Sequence, residues 1–293
     1  MITDARTVEE AIVSLYGPDV RIAARRGVAG GCIANGSQLE LSDGHTLFAK
    51  SSDTLPPPMF AAEAVGLIAM QSQGGPRVPQ PLAVRSETPG GFIVMEWIHS
   101  SRPLSGFHGT FGRRLARMHQ SLVNDRFGFE SDNYIGSTEQ PNTWTNTWCE
   151  FFGVQRIGFQ ARLARDRGRI GSQLSKSIDA LVGRIQLLLP EPRHPALLHG
   201  DLWGGNYLCD STGNPVLIDP AVYYGHPEAD LAMTELFGGF DAAFYRAYRD
   251  ESPVDSGYSA RRDLYNLYHM LNHLNIFGGS YLGSVQSIVA SYS

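Results

Sequence analysis

The spacing of apolar residues changes period twice along the chain. Residues 1–24 place Ile12, Val13, Leu15 and Tyr16 on one side of an amphipathic helix that Gly17-Pro18 brings to a stop. From 26 to 50 the pattern predicts a strand, a glycine-rich turn, a second strand, the turn Asp43-Gly44, and a third strand. That last strand, Thr46-Leu47-Phe48-Ala49-Lys50, alternates faces and ends on a lysine. After the breaker Pro56-Pro57-Pro58, residues 59–71 return to helical spacing. Strands are expected around 78–86 and 92–98, separated by Thr88-Pro89-Gly90-Gly91.

Beyond residue 100 the helical period dominates. Helices are expected at 109–124, 147–165 and 172–189, then a loop-rich block from 194 to 229. Further helices follow near 229–237, 241–249 and 258–275. There is no internal repeat and no low-complexity linker. The fold class expected is α+β and bilobal: a small antiparallel sheet lobe with one helix over 1–98, and a larger, mainly helical lobe over 99–293. The cleft between two such lobes is a common ligand position.

Composition narrows the picture. The 293 residues are 42% hydrophobic and 18% charged, with a formal net charge of −5. This acidic balance argues against a nucleic-acid or anionic-membrane partner, which would need a basic surface. The amino-terminal residues lack the basic and apolar regions of a secretory signal, and no apolar run approaches the length of a membrane span. The three scattered cysteines, Cys32, Cys149 and Cys209, have no metal-ligand spacing and fit free thiols in a reducing cytoplasm.

The chemistry concentrates in Leu198-His199-Gly200-Asp201-Leu202-Trp203-Gly204-Gly205-Asn206 and in Val216-Leu217-Ile218-Asp219-Pro220. Phosphoryl transfer to an alcohol needs an acceptor for the hydroxyl proton and oxygen ligands for Mg²⁺. Asp201 supplies the first, while Asn206, five residues on, and Asp219, at the end of an apolar strand, supply the second. Each residue alone is an ordinary turn former. Their combined spacing, joined by the turn Ser211-Thr212-Gly213-Asn214, is not.

Three further groups belong with this reading. Lys50 can reach nucleotide phosphates from its strand end. Glu63 falls on the inward stripe of Phe60, Ala64, Leu67 and Ile68, where a carboxylate needs a partner, and Lys50 is the natural one. The alternative is a solvated lysine and a surface glutamate. Gly30, Gly31, Cys32 and Ile33 lie in a glycine-rich hairpin whose amides can approach phosphate oxygens, although it matches neither GxGxxG nor the Walker pattern. Phe92–Ile98 leads into the helical lobe, so the Glu96 carbonyl and the Ile98 amide are candidates for an adenine edge.

The segments HGDLWGGN and IDPAVYYGHPEADLAM resemble the fructosamine kinase (ketosamine-3-kinase) family, whose fold relatives are aminoglycoside and choline kinases. The likeness extends through GGCI, LFAK, MEWI, FGFESDNYIGSTEQPN and LYHMLNHLNIFG, and so over nearly the whole chain. It implies a protein-kinase-like fold, with a nucleotide-binding first lobe and a catalytic, acceptor-binding second lobe. It further implies ATP and Mg²⁺ as cofactors, and as acceptor a small-molecule ketosamine or a glycated lysine. The 3-hydroxyl of that acceptor would be phosphorylated, and loss of the labile 3-phosphate would then free the amine. By position, Asp201 would be catalytic, Asn206 and Asp219 would hold the metal, and Lys50 braced by Glu63 would grip ATP. Trp203 would pack against the sugar adduct. His226 would serve the acceptor side and the catalytic loop, with His199 and Asp230 as further supports of that loop. Asn142, Trp144 and Trp148 are expected to join Trp203 around the acceptor pocket. Two departures, Gly204 for a frequent serine and Pro227 for a frequent arginine, bear on acceptor choice. The alternatives are a kinase of another small alcohol (aminoglycoside, choline or homoserine) or an inactive nucleotide-binding relative.

Overall fold

A computed structural model describes residues 1, 3–28, 35–87 and 90–293. The first helix, α1 (Val8–Tyr16), begins at Thr7, whose side chain accepts from the Glu10 amide, and ends at Gly17 with φ 99°. It is shorter than expected, because the chain becomes extended again by Ile22. The strands β1 (Ile22–Gly27), β2 (Asn35–Leu41) and β3 (Thr46–Ser52) follow, then α2 (Pro58–Ala69), β4 (Pro81–Arg85) and β5 (Gly91–Glu96). They form one antiparallel sheet in the order β1-β2-β3-β5-β4, with α2 inserted between β3 and β4.

Strand alternation gives this sheet two apolar faces. Leu47, Ala49, Phe92 and Val94 face α1, where they pack with Val8, Ala11 and Ile12. Ile93 and Met95 face the other way and join Phe60, Ala64 and Leu67 of α2 and Met70 just after it. Lys50 is paired with Ile93 in the β3–β5 register, so the same alternation turns it toward α2. Ile68, expected on the buried stripe of α2, is 46% exposed; the stripe is narrower and consists of Phe60, Ala64 and Leu67.

The second part is mainly helical. It contains α3 (Phe107–Ser121), the short pair β6 (Asn133–Ile135) and β7 (Thr138–Gln140), and α4 (Trp148–Glu150). A π-helical stretch, Phe151–Gly158, continues α4 into α5 (Phe159–Asp166). Then come α6 (Ser172–Val182), β8 (Ala196–Leu198), β9 (Tyr207–Cys209), β10 (Pro215–Leu217) and β11 (Tyr223–Gly225). The chain finishes with α7 (Pro227–Leu236), α8 (Ala242–Glu251), α9 (Tyr258–Phe277) and α10 (Leu282–Ser291). The hairpin β9–β10 and the antiparallel pair β8–β11 that encloses it organise the block that the sequence marks only as loop-rich.

The apolar core is continuous from α2 into the helical part, so the two lobes share packing. Main-chain bonds also join them. The Arg77 amide donates to the Pro215 carbonyl at 3.0 Å, and the Leu217 amide donates to the Arg77 carbonyl at 2.8 Å. Among the described residues no helix is long and apolar enough to cross a membrane.

Candidate active site

Sheet and helical lobe meet at a cluster of three charges. Lys50 Nζ donates to Glu63 Oε1 at 2.6 Å and also to Asp219 Oδ1. The Lys50 and Glu63 side chains are only 14% and 15% exposed. Burial would lower the lysine pKa, but Glu63 and Asp219 outweigh it and hold the ammonium above its ordinary value. Burial, with Asp219 close by, raises the Glu63 carboxyl even though Lys50 opposes the shift. Two carboxylates around one ammonium leave the cluster a net negative charge, suited to a further cation.

Close approach of α2 makes this contact possible. A Cβ on Gly66 would lie 3.1 Å from Pro220 Cγ and 3.5 Å from the methyls of Val222. Glycine therefore seats the helix directly on the segment that follows Asp219. Glycine inside a helix costs about 1 kcal/mol relative to alanine, and here close packing offsets that cost.

The loop after β8 is held from below by Asp230 on α7. Its carboxylate accepts from the amides of His199 at 2.7 Å and Gly200 at 2.9 Å, and from His119 Nε2 at 3.2 Å. Burial alone would raise the Asp230 carboxyl; the hydrogen bond and charge of His119, together with His199 and the Gly200 amide, hold it below the usual range. Asp230 lies inside a helix capped by His226, so it does not serve as a helix cap itself. His199 is fully buried. Its Nε2 faces the Ile218 carbonyl at 2.9 Å and so carries the proton, which leaves Nδ1 to accept from the Asp201 amide at 3.2 Å. Gly200 has φ 80°, and a Cβ there would sit 2.0 Å from the Ala221 carbonyl oxygen, so no larger residue fits.

At the rim of this loop Asn206 Nδ2 donates to both Asp201 O at 2.8 Å and Asp201 Oδ2 at 3.0 Å. The Asn206 carbonyl accepts from the Ile218 amide at 3.1 Å, which brings the Asp219 strand end to the same place. Asp219 alone among the described non-glycine residues has positive φ, 55°. A left-handed aspartate is tolerated at a cost of roughly 1–2 kcal/mol, the kind of local strain that active sites store. Burial pushes the Asp201 carboxyl up to about 7, with Asp219 and Asp230 adding to the rise and Asn206 opposing it. A carboxylate of that basicity is matched to accepting a proton near neutral pH.

The segment beyond Asp219 is clasped by polar groups that sequence reasoning did not single out. Asn133 donates to the Val222 carbonyl at 2.8 Å, and Gln140 donates to the Ala221 carbonyl at 3.0 Å and to Asn133 Oδ1 at 2.7 Å. Buried Arg156, on the π-helical stretch, stacks 4.0 Å from the Tyr223 ring and donates to Asn142 Oδ1 and the Pro141 carbonyl, both at 2.6 Å. Both clasp residues lie in the FGFESDNYIGSTEQPN block, whose density of polar residues was the one available signal.

On the sheet side, Arg77 pairs with the Glu96 carboxylate and with Asp210 at 3.2 Å, tying the lobe connection to the β9–β10 turn. The Ile98 amide has no hydrogen-bond partner among the described residues. Gly30, Gly31, Cys32 and Ile33 lie outside the described residues.

The structure places the acceptor-side candidates in different settings. Trp203 is exposed, in edge contact with Phe237. His226 instead caps α7, its Nδ1 accepting from the Glu228 amide, with its ring against Trp148 and Tyr265. This supports the catalytic loop through the helix that carries Asp230. Trp148 is wholly buried in the core, because its face meets Phe151, Phe152 and Tyr223. Asn142 is buried as well, holding Arg156 and the Ser131 carbonyl. Trp144 stacks on Tyr224 under Arg126.

Comparison with known proteins bears on the chain as a whole. The fructosamine kinase family model matches residues 5–292. A probable ketoamine kinase of Synechocystis is 43% identical over 97% of this chain and 95% of its own. A chloroplastic protein-ribulosamine 3-kinase of Arabidopsis thaliana is 44% identical over 90% of this chain and 81% of its own. The crystal structure of a putative fructosamine-3-kinase from Thermobifida fusca superposes with a TM-score of 0.85 at 34% identity, covering 98% of this chain and 99% of that one. A bilobal, protein-kinase-like chain with Lys50, Asp201, Asn206 and Asp219 gathered where the two lobes meet, it belongs to the fructosamine kinase family.

Proposed function

We propose that this protein is an ATP-dependent kinase that phosphorylates the 3-hydroxyl of ketosamines and thereby leads to deglycation. The observation that carries the reading is the meeting of Lys50, Glu63 and Asp219 from two lobes beside the Asp201–Asn206 pair. The names of the relatives, ketoamine kinase and protein-ribulosamine 3-kinase, support the acceptor class.

In this reading residues 1–98 bind the nucleotide and 99–293 carry the catalytic loop and acceptor site. Lys50 grips the phosphates of ATP, and Glu63 fixes its ammonium. The Glu96 carbonyl and the Ile98 amide meet the adenine edge. Asp201 accepts the proton of the attacking hydroxyl, and holding that hydroxyl in line with the γ-phosphate contributes most of the rate. The donor set fits Mg²⁺. Asn206 Oδ1 and Asp219 Oδ2 have no partner among the described residues, and an amide oxygen with a carboxylate suits an ion whose other ligands are phosphates and water. No cluster of three histidine, cysteine or acidic side chains stands ready as a complete metal cage among the described residues. Bound there, Mg²⁺ would neutralise charge on the transferring phosphate. The buried free thiols Cys149 and Cys209 support a cytoplasmic setting.

The test is ADP release with ribulose-lysine, erythrulose-lysine, fructose-lysine and an aminoglycoside as acceptors. Turnover confined to the ketosamines supports the proposal; turnover of the aminoglycoside alone refutes it.

A further inference from the structure

A line of aromatic rings leaves the catalytic loop, with Trp203, Phe237 and Phe277 exposed and His273 and Tyr281 half-buried between them. It starts at Trp203, two residues after Asp201, and is 36% exposed there. Phe237, at the end of α7, touches it at 6.3 Å between ring centroids and is 42% exposed. His273 follows at 5.0 Å, Phe277 at a further 5.5 Å, and Tyr281 closes on both at 5.1 and 6.2 Å. Phe277 is 54% exposed.

These rings come from four separate segments, so no single amphipathic pattern accounts for them. His273 and Phe277 are four residues apart on one face of α9, where side chains stand one above the other. The rest of α9 buries its aromatics, including Tyr258, Tyr265 and Tyr268. Phe237 reaches Trp203 because Gly238 and Gly239, with φ 98° and 75°, turn the chain sharply after it. A contiguous exposed aromatic surface beside a reaction centre marks a contact site.

We propose that Phe237, His273, Phe277 and Tyr281 extend from Trp203 as the binding surface for the amine half of the acceptor, favouring an apolar or aromatic amine. This rests on the ketosamine reading above. A ketosamine has two halves, and its nitrogen lies about 5 Å from the 3-oxygen along the carbon chain. With that oxygen at Asp201, the amine half begins next to the loop that carries Trp203. The amine is a cation, which aromatic faces attract. The line contains no lysine, arginine or carboxylate, and burial lowers the His273 pKa, so His273 adds no competing charge at neutral pH. A lysine stem spans about 6 Å and covers only the first rings. A substituent beyond it is needed to reach Phe277.

The experiment compares two acceptors that share sugar and stem: ribulose-lysine, and the same compound carrying a benzoyl group on its α-nitrogen. The benzoyl acceptor is expected to have a KM about tenfold lower at similar kcat, equivalent to about 1.4 kcal/mol. Phe277→Ser should remove most of this preference, raising KM for the benzoyl acceptor five- to tenfold while moving KM for ATP little; Phe237→Ser should act in the same direction. Equal KM values for the two acceptors in the unmodified protein, or a Phe277→Ser variant that shifts both alike, overturn the inference alone. Turnover of neither acceptor overturns the kinase reading and this inference with it.

Discussion

Asp230 is the residue whose loss should be felt farthest from where it sits. Its carboxylate serves three buried donors, the His199 and Gly200 amides and His119 Nε2. In Asp230→Asn one oxygen becomes an NH₂ group facing a donor, so at least one buried N–H loses its acceptor. An unsatisfied buried group costs about 1–3 kcal/mol, and charge-assisted bonds to the remaining donors weaken too, giving about 2–4 kcal/mol in all. With an unfolding entropy of roughly 2 cal/mol/K per residue, this lowers Tm by about 3–6 °C. The same amides fix the position of Asp201, and a small misplacement of a catalytic group costs on the order of 10–100-fold in kcat. Calorimetry together with steady-state kinetics would measure both, and KM for ATP should move much less than kcat. Unchanged Tm and unchanged kcat in Asp230→Asn would refute the reasoning.

Other consequences are equally direct. Gly66→Val would force methyl groups onto Pro220 and Val222, costing about 1–3 kcal/mol, and by displacing α2 should raise KM for ATP; wild-type kinetics and Tm would show that α2 needs no such approach. Gln140→Leu leaves the Ala221 carbonyl with one fewer donor and should lower kcat several-fold with acceptor KM nearly constant, measured by ADP release. Burial lowers the His269 pKa to about 3. The unfolded chain therefore binds an extra proton below about pH 6.5, and stability falls as pH drops from there toward 3, by up to about 4–5 kcal/mol. Urea unfolding across that range should show a shallower pH slope in His269→Leu than in the unmodified protein.

The sequence made the sheet lobe legible because its signals are local. Asp43-Gly44 marks a hairpin, and alternation along Thr46–Lys50 sets which face Lys50 takes. The Asp201, Asn206 and Asp219 set was legible because fixed spacing carried it. What escaped reading depends on contacts distant in sequence. The strands β6 and β7 are three residues long, and their buried Asn133 and Gln140 look like loop residues until the carbonyls of Ala221 and Val222 are seen opposite. Trp148 reads as a pocket residue because an aromatic suits a sugar face, whereas its ring packs against Phe151, Phe152 and Tyr223 in the core. The final helix α10 buries only Val285 and Val289, too few apolar positions for a clear period. The π-helical stretch has no sequence mark beyond Gly153 and Gly158.

The most direct test of the central claim is the fate of one phosphate. Incubating the protein with ATP and ribulose-lysine, and locating the product phosphate by mass spectrometry, should show it on the 3-oxygen. Asp201→Ala should form almost none while still binding ATP. A phosphate at another position, or near-normal transfer by Asp201→Ala, would contradict the account.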